Sequence, residues 1–405
     1  MPNALRRLVA LWLLALLAGC PRAAQEGQAI GVLLPRTGTL ADSGGHAESA
    51  VLLAAEKVNL AGGVGGKPIT LVIKDTRSQG VAGSEAARKL LTDSDDLLAV
   101  LGPEEDDVAD TLVALAKEKK RVQVSGGVTA VRFATVDDGG YFFRTCPSSR
   151  VTANAIVTRM LEDGMDTASF LFVRNDFGVA FISSAAQAYG LHGGTLLSPG
   201  TFDVPIAVEP GLKDYREVLN EVLSFKPKAL LIAADPLTGA RLVSDWKLLG
   251  GNARLYLAPP LMTDAFVQDV PAGALEGAVG VSALSGDADG SFAKAYSEAV
   301  GEQPAQSAYF YYDAMALVAL AIERATTLAG GAPDGDQVRA ALVDVASPPG
   351  TKVHWNELGQ ALERIRAGED IDYDGASGEI DFDPAGDVTS KAVGLWRVSA
   401  STIVR

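Results

Sequence analysis

Cysteine is nearly missing from this chain. In 405 residues only Cys20 and Cys146 occur, and the fate of Cys20, taken up below, leaves no pair for a structural disulfide within one mature chain. Cys146 stands beside Pro147 with no histidine next to it, the setting of a small buried hydrophobe and not of a nucleophile. Histidine is as scarce. His46, His192 and His354 lie far apart, without metal-ligand spacing or a companion cysteine, so neither a metal nor a cofactor is expected. No Gly-x-Ser-x-Gly elbow occurs. Gly62 to Lys67 superficially suggests a phosphate loop, but Ala61 stands where its first glycine belongs and Pro68 where its Ser/Thr belongs. These absences speak against an enzyme. Positive charge is short too: 35 Lys and Arg against 50 Asp and Glu give a net charge of −15. With no basic cluster, a nucleic-acid partner is not expected.

What the chain does have is apolar substance, 48% of its residues, enough for two ordinary cores. Its organising stretch runs from Leu97 to Val131. Leu97 to Leu101 is a short continuous apolar run, suited to a strand buried on both faces of a parallel sheet. Gly102-Pro103 stops it. Four acids follow, Glu104 to Asp107, and then Val108, Leu112 and Leu115 form one helical stripe that ends among Lys117, Lys119 and Lys120. Acids at the start and cations at the end both suit the helix dipole. A second strand, Arg121 to Val124, empties into the small-residue loop Ser125 to Thr129. Two strand ends thus open into loops on one sheet edge, the edge where open α/β sheets bind small ligands.

The same rhythm fills the chain. Strands are predicted at Ala29–Leu34 and Ile69–Lys74, with helices around Ala47–Val58 and Ser84–Leu91. After Arg144 it restarts: strands at Ala168–Val173, Ala229–Ala234 and Arg254–Ala258, and helices at Ala180–Tyr189, Lys213–Ser224 and Leu237–Leu249. A long helix from Ala305 to Thr327 stops at Gly330-Gly331-Ala332-Pro333. Strand and helix in alternation mean parallel sheets covered on both sides, here in two doubly wound α/β lobes. The first is expected to span 27–145 plus 279–370, the second 146–278 plus 371–405, with Val353–Ala367 an extra helix near the last crossover.

Residues 1–20 read as a targeting segment: Arg6 and Arg7, an apolar run from Leu8 to Leu17 too short for a comfortable membrane span, then Leu17-Ala18-Gly19-Cys20. This ending resembles the lipobox of bacterial lipoproteins, which implies that Cys20 is acylated and becomes the mature N-terminus. The rest resembles the type I periplasmic solute-binding lipoproteins of the branched-chain amino-acid (Leu/Ile/Val) ABC transporter family. The resemblance is carried in order by Ile30 to Pro35 with Thr37-Gly38, Asn59 with Gly62 to Lys67 and Asp75, Leu101-Gly102-Pro103, Phe143-Arg144-Thr145, Asp176-Phe177-Gly178, Tyr312-Asp313-Ala314, and Tyr373 to Asp383 with Gly386-Asp387. It implies a periplasmic-binding-protein-like type I fold with three crossovers between the lobes. It also implies a small-molecule ligand held between them and delivered to an ABC permease, and a place on the periplasmic face of the bacterial cell envelope, lipid-anchored to the membrane. The alternative on the same fold is a ligand-sensing or structural envelope lipoprotein without a transport role.

In that family a Ser/Thr pair after the Gly-Pro holds the ligand's carboxylate. Here Glu105 and Asp106 stand at those positions, and neither donates a hydrogen bond when ionised. Thr129 matches a carboxylate-binding threonine, with Gly127 near it, and Ser43 lies in the first pocket loop. The acids Glu104 to Asp107 have two readings, helix capping on a solvated rim or a face turned to a cationic ligand. In the second lobe Phe177 matches an aromatic that would pack on the ligand, or it is core. Thr238 falls where the family places its ammonium-binding acid; Asp235 could substitute for that acid or cap the helix.

Overall fold

The computed structural model of the protein describes residues 27–94, 96–199, 204–283, 286–389 and 393–404. The expected leader, with its lipid-attachment residue Cys20, lies outside the described residues. Among the described residues no helix is long and apolar enough to cross a membrane.

The first lobe is a parallel sheet in the order β2-β1-β3-β4-β5, formed by Gln28–Leu34 (β1), Ile69–Asp75 (β2), Ala99–Leu101 (β3), Val122–Ser125 (β4) and Phe142–Arg144 (β5). β1 shows why the sheet needs helices on both faces. Its alternate residues Ile30, Val32 and Leu34 enter one apolar cluster, while Ala29 and Leu33 enter another. The first cluster lies under α1 (Ala41–Leu60). The second lies under α2 (Gly80–Asp93) and α3 (Asp106–Lys119). Each Val, Leu or Ile sealed in this way contributes roughly 1.5–3 kcal/mol.

The second lobe is built from α4 (Ser149–Glu162), β6 (Thr167–Val173), α5 (Asp176–Leu191), β7 (Thr195–Leu196), β8 (Ile206–Val208), α6 (Arg216–Phe225), β9 (Ala229–Ala233), α7 (Pro236–Leu248), β10 (Arg254–Leu257), α8 (Asp264–Asp269) and β11 (Val279–Ala283). Its sheet runs β7-β6-β9-β10-β11 in parallel, with β8 also on β6. The chain then returns to the first lobe through α9 (Ser291–Val300), α10 (Gln306–Ala329) and α11 (Gly335–Ala346). α10 is buried almost without interruption from Ser307 to Glu323, which suits its apolar, alanine-rich sequence. The buried Glu323 at its end accepts from Arg366 Nε (3.2 Å) and from the Gly65 N–H (2.8 Å), which satisfies its charge.

A small sheet follows, from β12 (Thr351–His354), β13 (Ile371–Gly375) and β14 (Gly378–Glu379), with α12 (Leu358–Arg366) between its first two strands. The expected extra helix is therefore a strand and a shorter helix. The last strands, β15 (Val393–Ser399) and β16 (Thr402–Val404), extend the second sheet in antiparallel fashion from β11.

Two expected boundaries need correction. The expected first lobe includes 279–283, yet Tyr256 pairs with Val279 and Leu257 with Gly280 inside the second sheet. The expected second lobe includes 371–380, yet Ile371, Tyr373, Ala376 and Ile380 are buried in the first core. The reason is a buried carboxylate. Asp313 on α10 accepts from Tyr373 Oη (2.9 Å) and from the Ala376 and Ser377 N–H groups (both 2.8 Å), which fastens this segment to the first lobe. A buried ion pair fastens the stretch before the last crossover to the first sheet in the same way. Arg144, fully buried, donates twice to Asp387 (both 2.6 Å) and to the Ala130 carbonyl (2.9 Å).

Candidate functional site between the lobes

The site is built on the carboxyl ends of β3 and β4. Gly102 turns the chain at φ +101°, and a Cβ there would meet the Leu33 carbonyl oxygen at 2.0 Å, so only glycine fits. The next carbonyl, that of Pro103, accepts from Ser125 Oγ (2.6 Å) and from the buried Tyr311 hydroxyl (2.9 Å). The two strand-end loops are thereby bolted together and to α10.

On this base stand the four acids, and capping does not describe them. Glu105 occupies the N-cap position of α3 but makes no side-chain cap bond. One of its oxygens accepts from the Thr76 hydroxyl; the other is buried without a partner. Burial pushes the carboxyl up, against the hydrogen bond from Thr76. Glu104 accepts from Ser43 Oγ (3.0 Å) and lies against Gly127, where a Cβ would come within 2.8 Å of the Glu104 Cα. Burial raises its carboxyl to about 8 against the Ser43 hydrogen bond, and the charges of Glu105 and Asp42 add to the effect.

Asp106 reaches farther than its own helix. Only 5% exposed, it accepts through one oxygen from the N–H groups of Thr129 (3.0 Å) and Ala130 (3.1 Å). Burial lifts it to about 6, while these two bonds and the nearby Arg132 pull the other way. The preceding N–H groups of that loop, Gly127 (3.1 Å) and Val128 (3.0 Å), donate to Ser125 Oγ. Thr129 thus meets Asp106 through its backbone, and its carbonyl accepts from Ser149 N (2.8 Å) and Oγ (2.9 Å).

The second lobe closes on this edge through the start of α5. Asn175 caps that helix at the Gly178 N–H (2.8 Å). Arg132 bridges the lobes, with one nitrogen donating to Asp110 (2.9 Å), to Asp176 of α5 (3.2 Å) and to the Asp106 carbonyl (2.9 Å). Ala180 packs on the apolar group of Ala109, Val128 and Phe133. Phe177 stacks on Phe181 with centroids 5.7 Å apart, at the margin of the second core. Asp235 accepts from the Thr238 N–H (3.0 Å), and Thr238, 1% exposed, accepts at its hydroxyl from the Gly211 N–H (3.1 Å). Both side chains are engaged within their own lobe. The first turn of α7 instead presents Leu237, 68% exposed.

Of the candidate residues, the structure therefore brings Ser43, Glu105, Asp106, Gly127 and Thr129 to one edge and sets Phe177 beside it; Asp235 and Thr238 are occupied elsewhere. Glu104, already within the acid run, joins them, and Ser125 and Arg132 are additions. No local pattern marks Arg132, whose partners lie on other elements, and the bond from Ser125 to the Pro103 carbonyl spans 22 positions. Cys146 is buried, and burial pushes its thiol up to about 12, which leaves it inert.

Two parallel α/β lobes joined by repeated crossovers, with loops of one facing a helix start of the other, are the architecture of a solute receptor of the type I periplasmic-binding-protein-like fold. The chain belongs to the periplasmic binding protein family, whose model matches residues 27–398. It is 29% identical over 376 residues to the chemotactic signal transduction system substrate-binding protein BasB of Halobacterium salinarum, covering 88% of this chain and 83% of that one. It is 24% identical over 384 residues to the Leu/Ile/Val-binding protein BraC3 of Rhizobium johnstonii, covering 93% and 92%. The crystal structure of the leucine-binding protein LivK of Thermotoga maritima matches with a TM-score of 0.76 at 21% identity, covering 93% of this chain and 97% of that one. These relatives are solute-binding proteins, not enzymes.

Proposed function

We propose that this protein captures a small solute between its lobes outside the cytoplasm and delivers it to an ABC permease, held to the membrane by a lipid on Cys20. The observation that carries the reading is the edge just described, where Arg132, seated on the Asp106 carbonyl of the first lobe, reaches across to Asp176 at the start of α5. Closure of this kind requires only that the solute make more favourable contacts with both lobes than with one. The lobes divide at 145–148, after Ala283 and before Val393, and Ser43, Gly127, Thr129 and Phe177 border the solute. The likeness to BasB favours a second reading, in which the same cleft reports solute to a chemotaxis receptor.

A thermal-shift screen of the purified protein across amino acids, polyamines, amides and small organic acids tests the solute reading. A solute at about 100 times its Kd adds about 2.7 kcal/mol, a rise of several degrees. No rise across the panel contradicts it. With a hit in hand, loss of that solute's uptake on gene deletion supports transport, and loss of taxis with uptake intact supports sensing.

A further inference from the structure

The loop after β4 is the natural anion seat of the first lobe. It carries successive backbone N–H groups at the carboxyl edge of a parallel sheet, beside the start of α3. In this chain the four successive N–H groups from Gly127 to Ala130 are occupied from within. Ser125 Oγ takes Gly127 and Val128, and the Asp106 carboxylate takes Thr129 and Ala130. We infer that Asp106 is a resident anion: it fills the place a ligand's carboxylate would take, so the cleft refuses that group and selects a solute that brings N–H donors, an amine, amide or guanidine. This rests on the solute-binding reading above.

Three further observations point the same way. Asp106 is almost wholly buried, so its carboxylate is a fixed part of the wall and not a swinging surface group. The two guanidinium groups beside this seat are already engaged, Arg132 by Asp110, Asp176 and the Asp106 carbonyl, and Arg144 by Asp387 and the Ala130 carbonyl. The neighbouring groups are acceptors. Among the described residues Glu104 accepts from the side chain of Ser43 alone, and one buried Glu105 oxygen has no hydrogen-bond donor. A second carboxylate placed here would meet like charge at contact distance and find four of the loop's backbone N–H groups already taken. An ammonium or amide would find carboxyl oxygens able to accept, the bond becoming charge-assisted where the carboxyl is ionised.

The test uses isothermal titration calorimetry on the purified protein with a matched pair, leucine and leucinamide, which share side chain and ammonium and differ in the carboxylate, together with agmatine as a guanidinium probe. The wild type should bind leucinamide or agmatine at least about 10-fold more tightly than leucine, the scale of one charge-assisted bond gained or lost. Asp106→Ser empties the seat and should raise leucine affinity by about 10- to 100-fold. Asp106→Asn keeps an amide oxygen on Thr129 and Ala130 while removing the charge, and should raise leucine affinity by less than Asp106→Ser does. If the serine variant does not fold, the wild-type pair decides alone. Leucine bound by the wild type as tightly as leucinamide overturns the inference. So does no binding of all three probes, or an Asp106→Ser variant that folds without gaining leucine. The broader solute screen separates these outcomes from failure of the underlying reading. A carboxylate hit there leaves a solute receptor without a resident anion, and no hit removes both.

Discussion

Asp106 and Asp235 hold equivalent places, each an aspartate where a parallel strand gives way to a helix on the edge facing the other lobe, and they do opposite things. Asp235 accepts from Thr238, three residues on, and closes the first turn of its own helix. Asp106 ignores its helix and accepts from Thr129 and Ala130 in the next loop, more than 20 positions away. One bond is local and strengthens an element; the other is tertiary and shapes a surface. A carboxylate at a helix start is therefore no guide to its role until the neighbouring loop is known.

The largest effect should come from deleting the tertiary bond. Asp106→Ala leaves two loop N–H groups without acceptors, at about 1–3 kcal/mol each, so a loss of about 2–6 kcal/mol in urea unfolding is expected. Asp235→Ala removes one cap and should cost about 1 kcal/mol. Equal losses in the two variants would erase the distinction drawn between them.

The acids of the first lobe should also write their burial into the pH dependence. Glu104 and Asp106 are raised to about 8 and about 6 from ordinary values of 4.5 and 3.8, so the folded state holds protons that the unfolded chain has released. Stability contributed in this way is present below the unfolded values and falls as pH rises through 4.5 to about 8. Glu104→Gln should flatten the upper part of that fall in melting temperatures measured from pH 5 to 9. An unchanged slope would mean that the carboxyl is freely solvated. Smallest of all, Arg132→Gln breaks half-exposed ion pairs and should cost less than about 1 kcal/mol. Because Asp176 belongs to the other lobe, the variant should still widen the unliganded protein in small-angle scattering at low salt.

How much of this was legible beforehand follows from the same contrast. Strands and helices were readable because β1, α1 and α10 carry their periodicity within themselves. The Asp235 cap was among the readings its short spacing allowed. Glu104 to Asp107 were conspicuous as four acids, but the partners that give them meaning come from elsewhere: Ser43 is 61 positions away and Thr76 is 29 from Glu105. Arg144 and Asp387 were each visible in a motif, yet their pairing spans 243 positions. The lobe boundaries were misplaced for a related reason. Neither β11 nor β13 carries within itself a mark of the core it joins; Tyr256, which pairs with β11, and Asp313, which binds the segment after β13, decide it.

The measurement closest to the central claim is the pH titration of the Thr129 and Ala130 amide signals by nuclear magnetic resonance. If the Asp106 carboxylate accepts from both, the two signals should move together with a midpoint near 6 and stop moving in Asp106→Asn. Signals that ignore pH in the wild type, or that titrate unchanged in the variant, would show that another group holds those donors and that the seat is not Asp106's.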